Sequence, residues 1–369
     1  MKLICSKSDL LNGVQIVSKA VPSKTTMSIL ECILVDATKG IIKLTANDTE
    51  LGIDTVIDGQ IVEKGMVALD AKIFFEIIRK LPDNDITIET DSTYKTVITC
   101  EKAKFTIIGK SGEDFSYLPV IEKNVPVIMS QFTLKEAVRQ TIFSIADNDT
   151  NKIMTGELFE INNDQLRVVS LDGHRISIRK IKMKNSYEPK KVIIPGKTLN
   201  EISKILSGDA DKDVSIYFTD KHALFEFDNT VVVSRLIEGE YFKIDQMLSN
   251  DYETKLKINK KEFMNCIDRA TLLSKEGDKK PIIININDNA MQLKIRSTIG
   301  SMNEEIDIEK NGRDLMIGFN PKFLIDALRV IDDETVSIYL MNAKSPCFIR
   351  DDENNYIYLI LPVNFTDVD

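Results

Sequence analysis

A helical pattern recurs three times in this chain of 369 residues, at a constant spacing of 125 residues. The copies begin at Lys72 (KIFFEIIRKL), Lys197 (KTLNEISKIL) and Lys322 (KFLIDALRVI). In each copy apolar residues fall at i, i+3, i+4 and i+7, which predicts an amphipathic helix packed through one face. An alternating segment follows each copy (DITIET, DVSIYF and TVSIYL) and predicts a strand. Such a period favours a fold built from repeated supersecondary units.

A second helical pattern precedes each of these copies at nearly the same period. It begins at Asp9 (DLLNGVQIVSKA), Lys135 (KEAVRQTIFSIA) and Glu262 (EFMNCIDRATLLS), with spacings of 126 and 127 residues. Between the helices, ECILVDATKGIIKLTA, GELFEINNDQLRVVSL and PIIININDNAMQLKIRS each alternate on both sides of a polar turn, which predicts three hairpins. The predicted fold class is therefore α+β, with three repeated domains of two helices and antiparallel sheets at 1–124, 125–252 and 253–369.

The composition is that of a soluble globular protein. Hydrophobic residues make up 43% of the chain and charged residues 28%, and no apolar run approaches the roughly 20 residues of a membrane span. The five cysteines stand far apart, without the spacing of a metal or redox site, which predicts reduced, packed thiols and a cytoplasmic location. We expect no metal and no cofactor.

The net charge of −9 argues at first against a nucleic-acid partner, because phosphate contacts need a basic surface. The predicted helices nevertheless carry cations at similar positions, and repeated units could align these cations along one surface while the sheets carry the acidic residues. For any single helix, the alternative is an ordinary solvated face. No aromatic residue stacks among these lysines, so a DNA contact would go to phosphates without sequence readout.

The segment VVSLDGHRIS contains His174, one of only two histidines, directly before Arg175. A catalytic pair would need a nucleophile or substrate group to serve, and the chain lacks a GxSxG elbow, an HExxH motif and a Walker loop. We therefore expect a protein that is not an enzyme. A packed or capping histidine and a histidine that contacts a binding partner both remain open.

Five segments together resemble the family of bacterial DNA polymerase III beta subunits, the replicative sliding clamps, over the whole length of the chain. They are LDGHRIS (171–177), VIIPGKTLNEISKIL (192–206), SRLIEGEYF (234–242), FNPKFLIDAL (319–328) and YIYLILPVN (356–364). The resemblance implies a DNA clamp in which two chains join head to tail into a ring of six similar domains. Helices line the hole of such a ring and the sheets form its outer layer.

The resemblance also implies a hydrophobic peptide-binding pocket between the second and third domains. Its members in this chain are Met154, Leu171, Gly173, His174, Arg175, Ile176, Met247, Asn320, Phe323, Leu359, Ile360, Leu361, Pro362 and Val363. Apolar and methionine side chains form an adaptable site for the Leu and Phe of a short peptide, and the polar members orient that peptide. The family usually has Phe-Pro-Asp where this chain has 241–243 (YFK), and its C-terminal NFTDVD adds Asp367 and Asp369, so we expect a reshaped rim.

By the same resemblance, Lys24, Arg79 and Lys197 match basic residues that contact DNA, although each also fits a solvated surface. Leu272 and Leu273 match apolar residues at the dimer interface, with ordinary core of the third domain as the alternative.

The implied function is that of a processivity factor that encircles duplex DNA without sequence specificity. Its expected partners are a second copy, the replicative polymerase subunit, a separate ATP-driven clamp loader, and repair polymerases and other proteins with a clamp-binding motif. Two rival hypotheses remain. One is a peptide-binding adaptor that never encloses DNA, and the other is an enzyme that uses His174 and Arg175 in a cleft.

Overall fold

The computed structural model describes residues 1–115, 119–147, 151–273 and 280–365. Its contacts divide the chain into two compact units, the first formed by Met1–Lys135 with Lys197–Leu236 and the second by Glu136–Gly196 with Ile237–Asp369. Each unit is organised around sheets shared by segments that are distant in sequence. The boundaries expected at 124 and 252 therefore remain predictions.

The described residues form six α-helices: α1 Lys7–Val17, α2 Ala71–Lys80, α3 Gln131–Arg139, α4 Gly196–Ile205, α5 Lys260–Thr271 and α6 Pro321–Val330. All six helices predicted from the two repeated patterns are confirmed. The pattern from Lys135 extends further than α3, because the helix ends at Arg139 and a 3₁₀ turn, Ile142–Ser144, follows it. Side-chain caps fix several starts. For example, the Asp70 carboxylate accepts a hydrogen bond from the Ile73 N–H at 2.8 Å.

Antiparallel strands make up the rest of the regular structure. In chain order, the strands of the described residues are β1 Lys2–Ser6, β2 Cys32–Asp36, β3 Ile42–Asn47, β4 Leu51–Ile57, β5 Gln60–Glu63, β6 Met66–Asp70, β7 Asp85–Thr90, β8 Lys95–Cys100, β9 Ala103–Ile108, β10 Lys110–Ser111, β11 Val127–Ser130, β12 Gly156–Leu171, β13 Arg175–Pro195, β14 Asp213–Phe218, β15 His222–Phe227, β16 Thr230–Arg235, β17 Thr254–Asn259, β18 Ile282–Asn287, β19 Ala290–Ser297, β20 Gly300–Asp307, β21 Glu309–Gly312, β22 Leu315–Phe319, β23 Thr335–Leu340, β24 Cys347–Arg350 and β25 Tyr356–Ile360.

The first unit contains a five-stranded sheet, β5-β1-β7-β8-β9, and a nine-stranded sheet, β10-β6-β2-β3-β4-β16-β15-β14-β11. Helix α1 packs against β4 and against α2. Its apolar face buries Leu10 and Val14, while α2 buries Phe74 and Ile78. The strands predicted after the repeated helices, β7 and β14, are confirmed here, and β23 is confirmed in the second unit.

The second unit contains a seven-stranded sheet, β12-β13-β25-β24-β23-β17-β21, and a four-stranded sheet, β20-β19-β18-β22. One face of the seven-stranded sheet joins α5 and α6 in a core that includes Phe263, Leu324 and Ile338. Because side chains alternate along a strand, the neighbouring residues Tyr339 and Phe348 belong to a second apolar layer on the other face. Residues 237–253, which we call the connector, contribute to that second layer.

One of the three predicted hairpins is wrong. Residues 156–171 form the single strand β12, whereas β2–β3 and β18–β19 are hairpins as predicted. Both halves of β12 pair with β13, with register shifts around Asn163, whose φ is +52°. The polar NNDQ segment is thus an irregularity inside a long strand pair, and the chain reverses later, at 172–174.

All five cysteines are buried free thiols, as predicted. Burial raises the pKa of the Cys347 thiol to about 12. Among the helices of the described residues, none has the length and apolar character to cross a membrane. The same residues contain no cluster of three or more His, Cys, Asp or Glu side chains arranged for a metal ion.

Candidate functional site

A cavity of about 950 Å³ opens in the second unit where four segments distant in sequence meet. Its lining consists of Ile145, Ala146, Asp147, Asn151, Met154, Asp172, His174, Arg175, Asn320, Lys322, Phe323, Leu361, Pro362, Val363 and Asn364. Eight of the fourteen residues predicted for the peptide pocket are in this set. The cavity combines an apolar floor with a few polar groups, the usual composition of a ligand site.

The turn between β12 and β13 forms one wall of the cavity. The Asp172 Oδ1 accepts hydrogen bonds from the backbone N–H groups of His174, at 2.9 Å, and Arg175, at 3.1 Å. Gly173 has a φ of +85°, a left-handed conformation that glycine adopts without strain. No atom lies within 4 Å of the position that a Cβ would take there. The turn therefore needs glycine for its backbone angle.

Arg175 lines the cavity but makes most of its polar contacts inside the protein. Its side chain is only 6% exposed, with Nε donating to Asp172 at 2.9 Å, Nη1 donating to Asp326 at 2.7 Å and Nη2 donating to the Phe143 carbonyl. The guanidinium carbon also lies 4.5 Å from the ring centroid of Phe323. The guanidinium thus joins the turn, α6 and the 3₁₀ turn at 142–144, and positions these elements around the cavity.

His174 and Phe323 form the aromatic part of the wall. Their ring centroids lie 6.0 Å apart, with an interplanar angle of 22°. Phe323 lies in the first turn of α6, which starts where the Asn320 side chain accepts a hydrogen bond from the Lys322 N–H at 3.0 Å. The Lys322 ammonium lies 2.8 Å from the Asp326 carboxylate. Its charge is therefore partly compensated at the rim.

The chain after β25 forms another edge of the cavity, next to the histidine turn. The Leu361 N–H donates to the His174 carbonyl at 2.9 Å, and the Val363 N–H donates to the Gly318 carbonyl at 2.8 Å. These bonds fix a short apolar segment, LPV, beside the histidine turn. Asp367 and Asp369, which were expected near this edge, lie outside the described residues.

The other six predicted pocket residues do not line the cavity. Gly173 is in the exposed turn. Leu171, Ile176 and Leu359 are buried in the apolar layer beneath the connector, and Ile360 is buried in the opposite core. Met247 is 44% exposed on the connector.

The connector is held at several points. The Tyr241 hydroxyl donates to the Val169 carbonyl at 3.3 Å, Ile244 is buried, and Arg167 Nη1 donates to Asp245 at 2.6 Å. Phe242 packs against the apolar layer. These anchors give the Met247 segment a defined path.

Sequence reasoning missed seven lining residues: Ile145, Ala146, Asp147, Asn151, Asp172, Lys322 and Asn364. The Ala146 N–H donates to the Met154 carbonyl at 2.8 Å, and the first four of these residues lie near this bond in the sequence. A local signal existed for Asp172 alone, because Asp before Gly often caps a turn through its side chain.

A buried acid near this site was also missed. Glu157 is fully buried in β12, and neither carboxylate oxygen has a hydrogen-bond partner within the described residues. Desolvation raises the pKa of this carboxyl to about 8. Burial also raises the pKa of the neighbouring Tyr241 phenol. Glu157 is thus a carboxylic acid that retains its proton near neutral pH.

The residues predicted to contact DNA all belong to the first unit. Lys24 is exposed in the loop after α1. Arg79, in the last turn of α2, pairs with Glu76 at 2.6 Å, and Lys197, in the first turn of α4, pairs with the largely buried Asp48. Two of the three cations therefore have a carboxylate partner already.

The residues predicted for the dimer interface differ in environment. Leu272 is 77% exposed at the end of α5. Leu273 packs partly against the core around α5. The exposure of Leu272 thus fits an interface residue, whereas the packing of Leu273 fits ordinary core of the third domain.

Comparison with known proteins assigns a family to nearly the whole chain. Residues 1–119, 128–243 and 245–364 match the N-terminal, central and C-terminal domains of the DNA polymerase III beta subunit. Beta sliding clamps of Staphylococcus epidermidis and Staphylococcus aureus are 32% and 34% identical, over 98% and 94% of this chain and 99% and 94% of theirs.

Solved structures agree with this assignment. A putative DNA polymerase III beta subunit from Eubacterium rectale is 72% identical, with a TM-score of 0.96 over 99% of this chain and 100% of that one. The DNA polymerase sliding clamp of Bacillus subtilis is 32% identical, with a TM-score of 0.95 over the same shares of the two chains. The sequence, the repeated helices and the fold therefore agree that the chain belongs to the DNA polymerase III beta subunit family, the bacterial sliding clamps.

Proposed function

We propose that this protein is the processivity clamp of a replicative DNA polymerase, with two copies closed into a ring around duplex DNA. The observation that carries the proposal is the match to all three beta-subunit domains together with the fold of the Bacillus subtilis clamp. Such a protein performs no chemistry of its own and acts in the cytoplasm. Opening of the ring belongs to a separate ATP-driven loader.

The cavity of the second unit is the docking site for partners. A short peptide with Leu and Phe side chains suits a space of about 950 Å³ lined by Met154, Phe323 and Leu361. The rigid support behind Phe323 means that little ordering is needed when a peptide binds. The replicative polymerase subunit, the loader, repair polymerases and other motif-bearing proteins would use the site in turn.

In the proposed ring, a sheet edge of the first unit of one copy pairs with a sheet edge of the second unit of the other copy, head to tail. Strand β9 is an edge of the five-stranded sheet, and its Phe105 and Ile108 are 40% and 73% exposed. Strand β20 is an edge of the four-stranded sheet, and Leu273 lies beside Gly300 at its start. Exposed apolar side chains next to unpaired strand edges support contact between β9 of one copy and the β20–Leu272 region of the other.

DNA contact in this proposal is weak and electrostatic. Arg79 and Lys197 have intramolecular carboxylate partners, which lowers the charge they can offer to phosphates. Because a closed ring is retained by topology, a few weak contacts suffice, and strong ones would hinder sliding.

Retention on circular DNA tests the function directly. The protein would be loaded on nicked circular DNA with its cognate loader and ATP, then gel-filtered at high salt before and after linearisation. Retention on the circle with loss from the linear form is expected. With an active loader, absence of retention on either form would favour the peptide-binding adaptor, and equal salt-sensitive retention on both would mean ordinary phosphate binding.

A further inference from the structure

Strand β13 contains a basic segment in an otherwise acidic chain. Residues 178–191 read IRKIKMKNSYEPKK, with six cations and the single carboxylate Glu188, whereas the whole chain has a net charge of −9. In the ladder, residues 183–189 face only 162–164 of β12, so this part of β13 bulges from the pair. The segment is largely exposed.

The register places part of this charge on a particular face of the sheet. Ile176 and Ile178 belong to the apolar layer beneath the connector. Because side chains alternate along a strand, Lys180 and Lys182 continue the same face, and Lys180 stands opposite Arg167 in the ladder. This face is turned away from the core that contains α5 and α6.

The carboxylates around the segment neutralise only some of its cations. Arg167 and Lys191 share Glu160, each at 2.6 Å, and Arg167 also binds Asp245. Lys182 is 86% exposed and reaches Asp164 only at 3.9 Å. Lys180 and Lys184 make no ion pair or side-chain hydrogen bond within the part of the chain that the structure describes. We call Lys180 and Lys182, together with the exposed Lys184 of the adjoining bulge, the lysine face.

We propose that the lysine face binds an acidic, extended segment of the same partner protein whose apolar peptide occupies the cavity. This inference rests on the proposed peptide-binding function. The two places lie close along the chain, since His174 at the cavity and Lys182 are eight residues apart, or at most roughly 26 Å of extended chain. A flexible linker of about 16 residues has a root-mean-square length of roughly 20–24 Å, so both contacts can form at once.

Charge and position favour a polypeptide over a nucleic acid. Alternate residues of a strand repeat about every 6.6 Å, so carboxylates at every second position of an extended segment match Lys180 and Lys182. The carboxylates Glu160, Asp164 and Asp245 interrupt the surface and would repel a continuous row of phosphates. The face also lies opposite the helical side of the sheet, which is the side that faces the duplex in the proposed ring.

Two fluorescent peptides test the proposal by polarisation with the full-length dimer. Each carries the clamp-binding segment of the replicative polymerase subunit, sixteen Gly/Ser residues and a tail of six Glu or six Gln. On the wild-type protein in about 50 mM salt we expect the Glu tail to tighten binding by about tenfold, and the gain to vanish at 0.5 M salt because the contact is electrostatic.

Substitutions localise the effect. Lys180→Gln with Lys182→Gln and Lys184→Gln should abolish the gain and leave binding of the Gln-tailed peptide unchanged. The matched control changes three exposed lysines of the first unit to Gln, at Lys39, Lys64 and Lys102, and should retain the gain.

Four results would overturn the inference. Equal affinity of the two peptides for the wild type, or a gain that survives in the triple variant, would remove the lysine face as an acidic-segment site. Binding of single-stranded oligo-dT that the triple variant loses, without any gain from the Glu tail, would assign the face to nucleic acid. Failure of both peptides to bind would instead refute the peptide-binding function itself, and the inference with it.

Discussion

Asp48 and Asp172, in two different repeats, hold the same turn with the same hydrogen bonds. Each carboxylate accepts from the backbone N–H groups two and three residues further on, at 3.1 and 2.7 Å for Asp48 and 2.9 and 3.1 Å for Asp172. The residue after each aspartate is left-handed, Thr49 with φ +78° and Gly173 with φ +85°. Of the two residues, only Gly173 is of a type that adopts this conformation without strain.

Exchanging these residue types should move stability in opposite directions. A β-branched residue in a left-handed conformation is strained by about 1–2 kcal/mol, part of which glycine's greater freedom in the unfolded chain offsets. Thr49→Gly should therefore stabilise the protein by about 0.5–1 kcal/mol, and Gly173→Ala should destabilise it by about 1 kcal/mol. Urea titration measures both, and a Thr49→Gly variant less stable than wild type would show that the turn carries no strain.

Arg175→Lys should lower both peptide affinity and stability. Lysine keeps the charge but lacks the fork that reaches Asp172, Asp326 and the Phe143 carbonyl together, and it cannot stack equally on Phe323. Losing hydrogen bonds of a buried charged group costs about 1.5–3 kcal/mol, and we expect peptide binding, measured by fluorescence polarisation, to weaken at least tenfold. His174→Ala is the control, since it should weaken binding several-fold with an unchanged melting temperature. Wild-type affinity in Arg175→Lys would contradict the positioning role.

Glu157 should make the protein less stable as the pH rises. The pKa of its carboxyl is about 8 in the fold, against an ordinary value of 4.5, so the folded state holds the proton more tightly. Its contribution is fully present below pH 4.5 and is lost progressively up to about pH 8, at about 1.4 kcal/mol per pH unit.

Glu157→Gln removes this titration and keeps the shape of the side chain. Its free energy of unfolding relative to wild type should therefore rise steadily from pH 5 to pH 8, measured by urea titration at each pH. Glu160→Gln serves as a comparison with a carboxylate that has ion-pair partners. Parallel pH profiles for wild type and Glu157→Gln would mean that the carboxyl is not protonated in the fold.

Leu272→Ala should weaken the proposed dimer without weakening the fold. The side chain is 77% exposed, so the isolated chain loses little when it is truncated. Burial of one leucine contributes about 1.5–3 kcal/mol, and a head-to-tail ring contains the contact twice. We expect the dimer dissociation constant to rise at least about 100-fold.

Sedimentation at sub-micromolar concentration measures this change. Leu272→Ala with Leu273→Ala should be monomeric, and Leu273→Ala should also lower the melting temperature because that residue packs against the core. Val120→Ala, at a fully exposed site on another segment, should sediment as wild type. A persistent dimer in the double variant would place the interface elsewhere.

The sequence predicted the helices well because their apolar faces repeat every 125 residues and pack locally. It failed at 156–171, where the polar NNDQ suggested a turn and only the partner strand β13 decides otherwise. The environment of Glu157 could not be predicted from the sequence. Whether its carboxylate finds a hydrogen-bond partner depends on strands and a helix end that only folding brings together. The positions of Asp147 and Lys322 in the cavity lining could not be predicted either, because folding brings these distant segments together. The family resemblance predicted the members of the pocket. It could not predict that the Arg175 side chain donates its hydrogen bonds to Asp172, Asp326 and the Phe143 carbonyl.

The free outer edges of strands β9 and β20 have a consequence for how assembly ends. A chain that offers these two edges to other copies can pair both in two ways, by closing with one other copy or by adding copies without limit. Closure after two copies makes the association self-terminating, so that its product has a fixed size. In the closed dimer, the strand edges that would otherwise template fibrous aggregation are paired with each other.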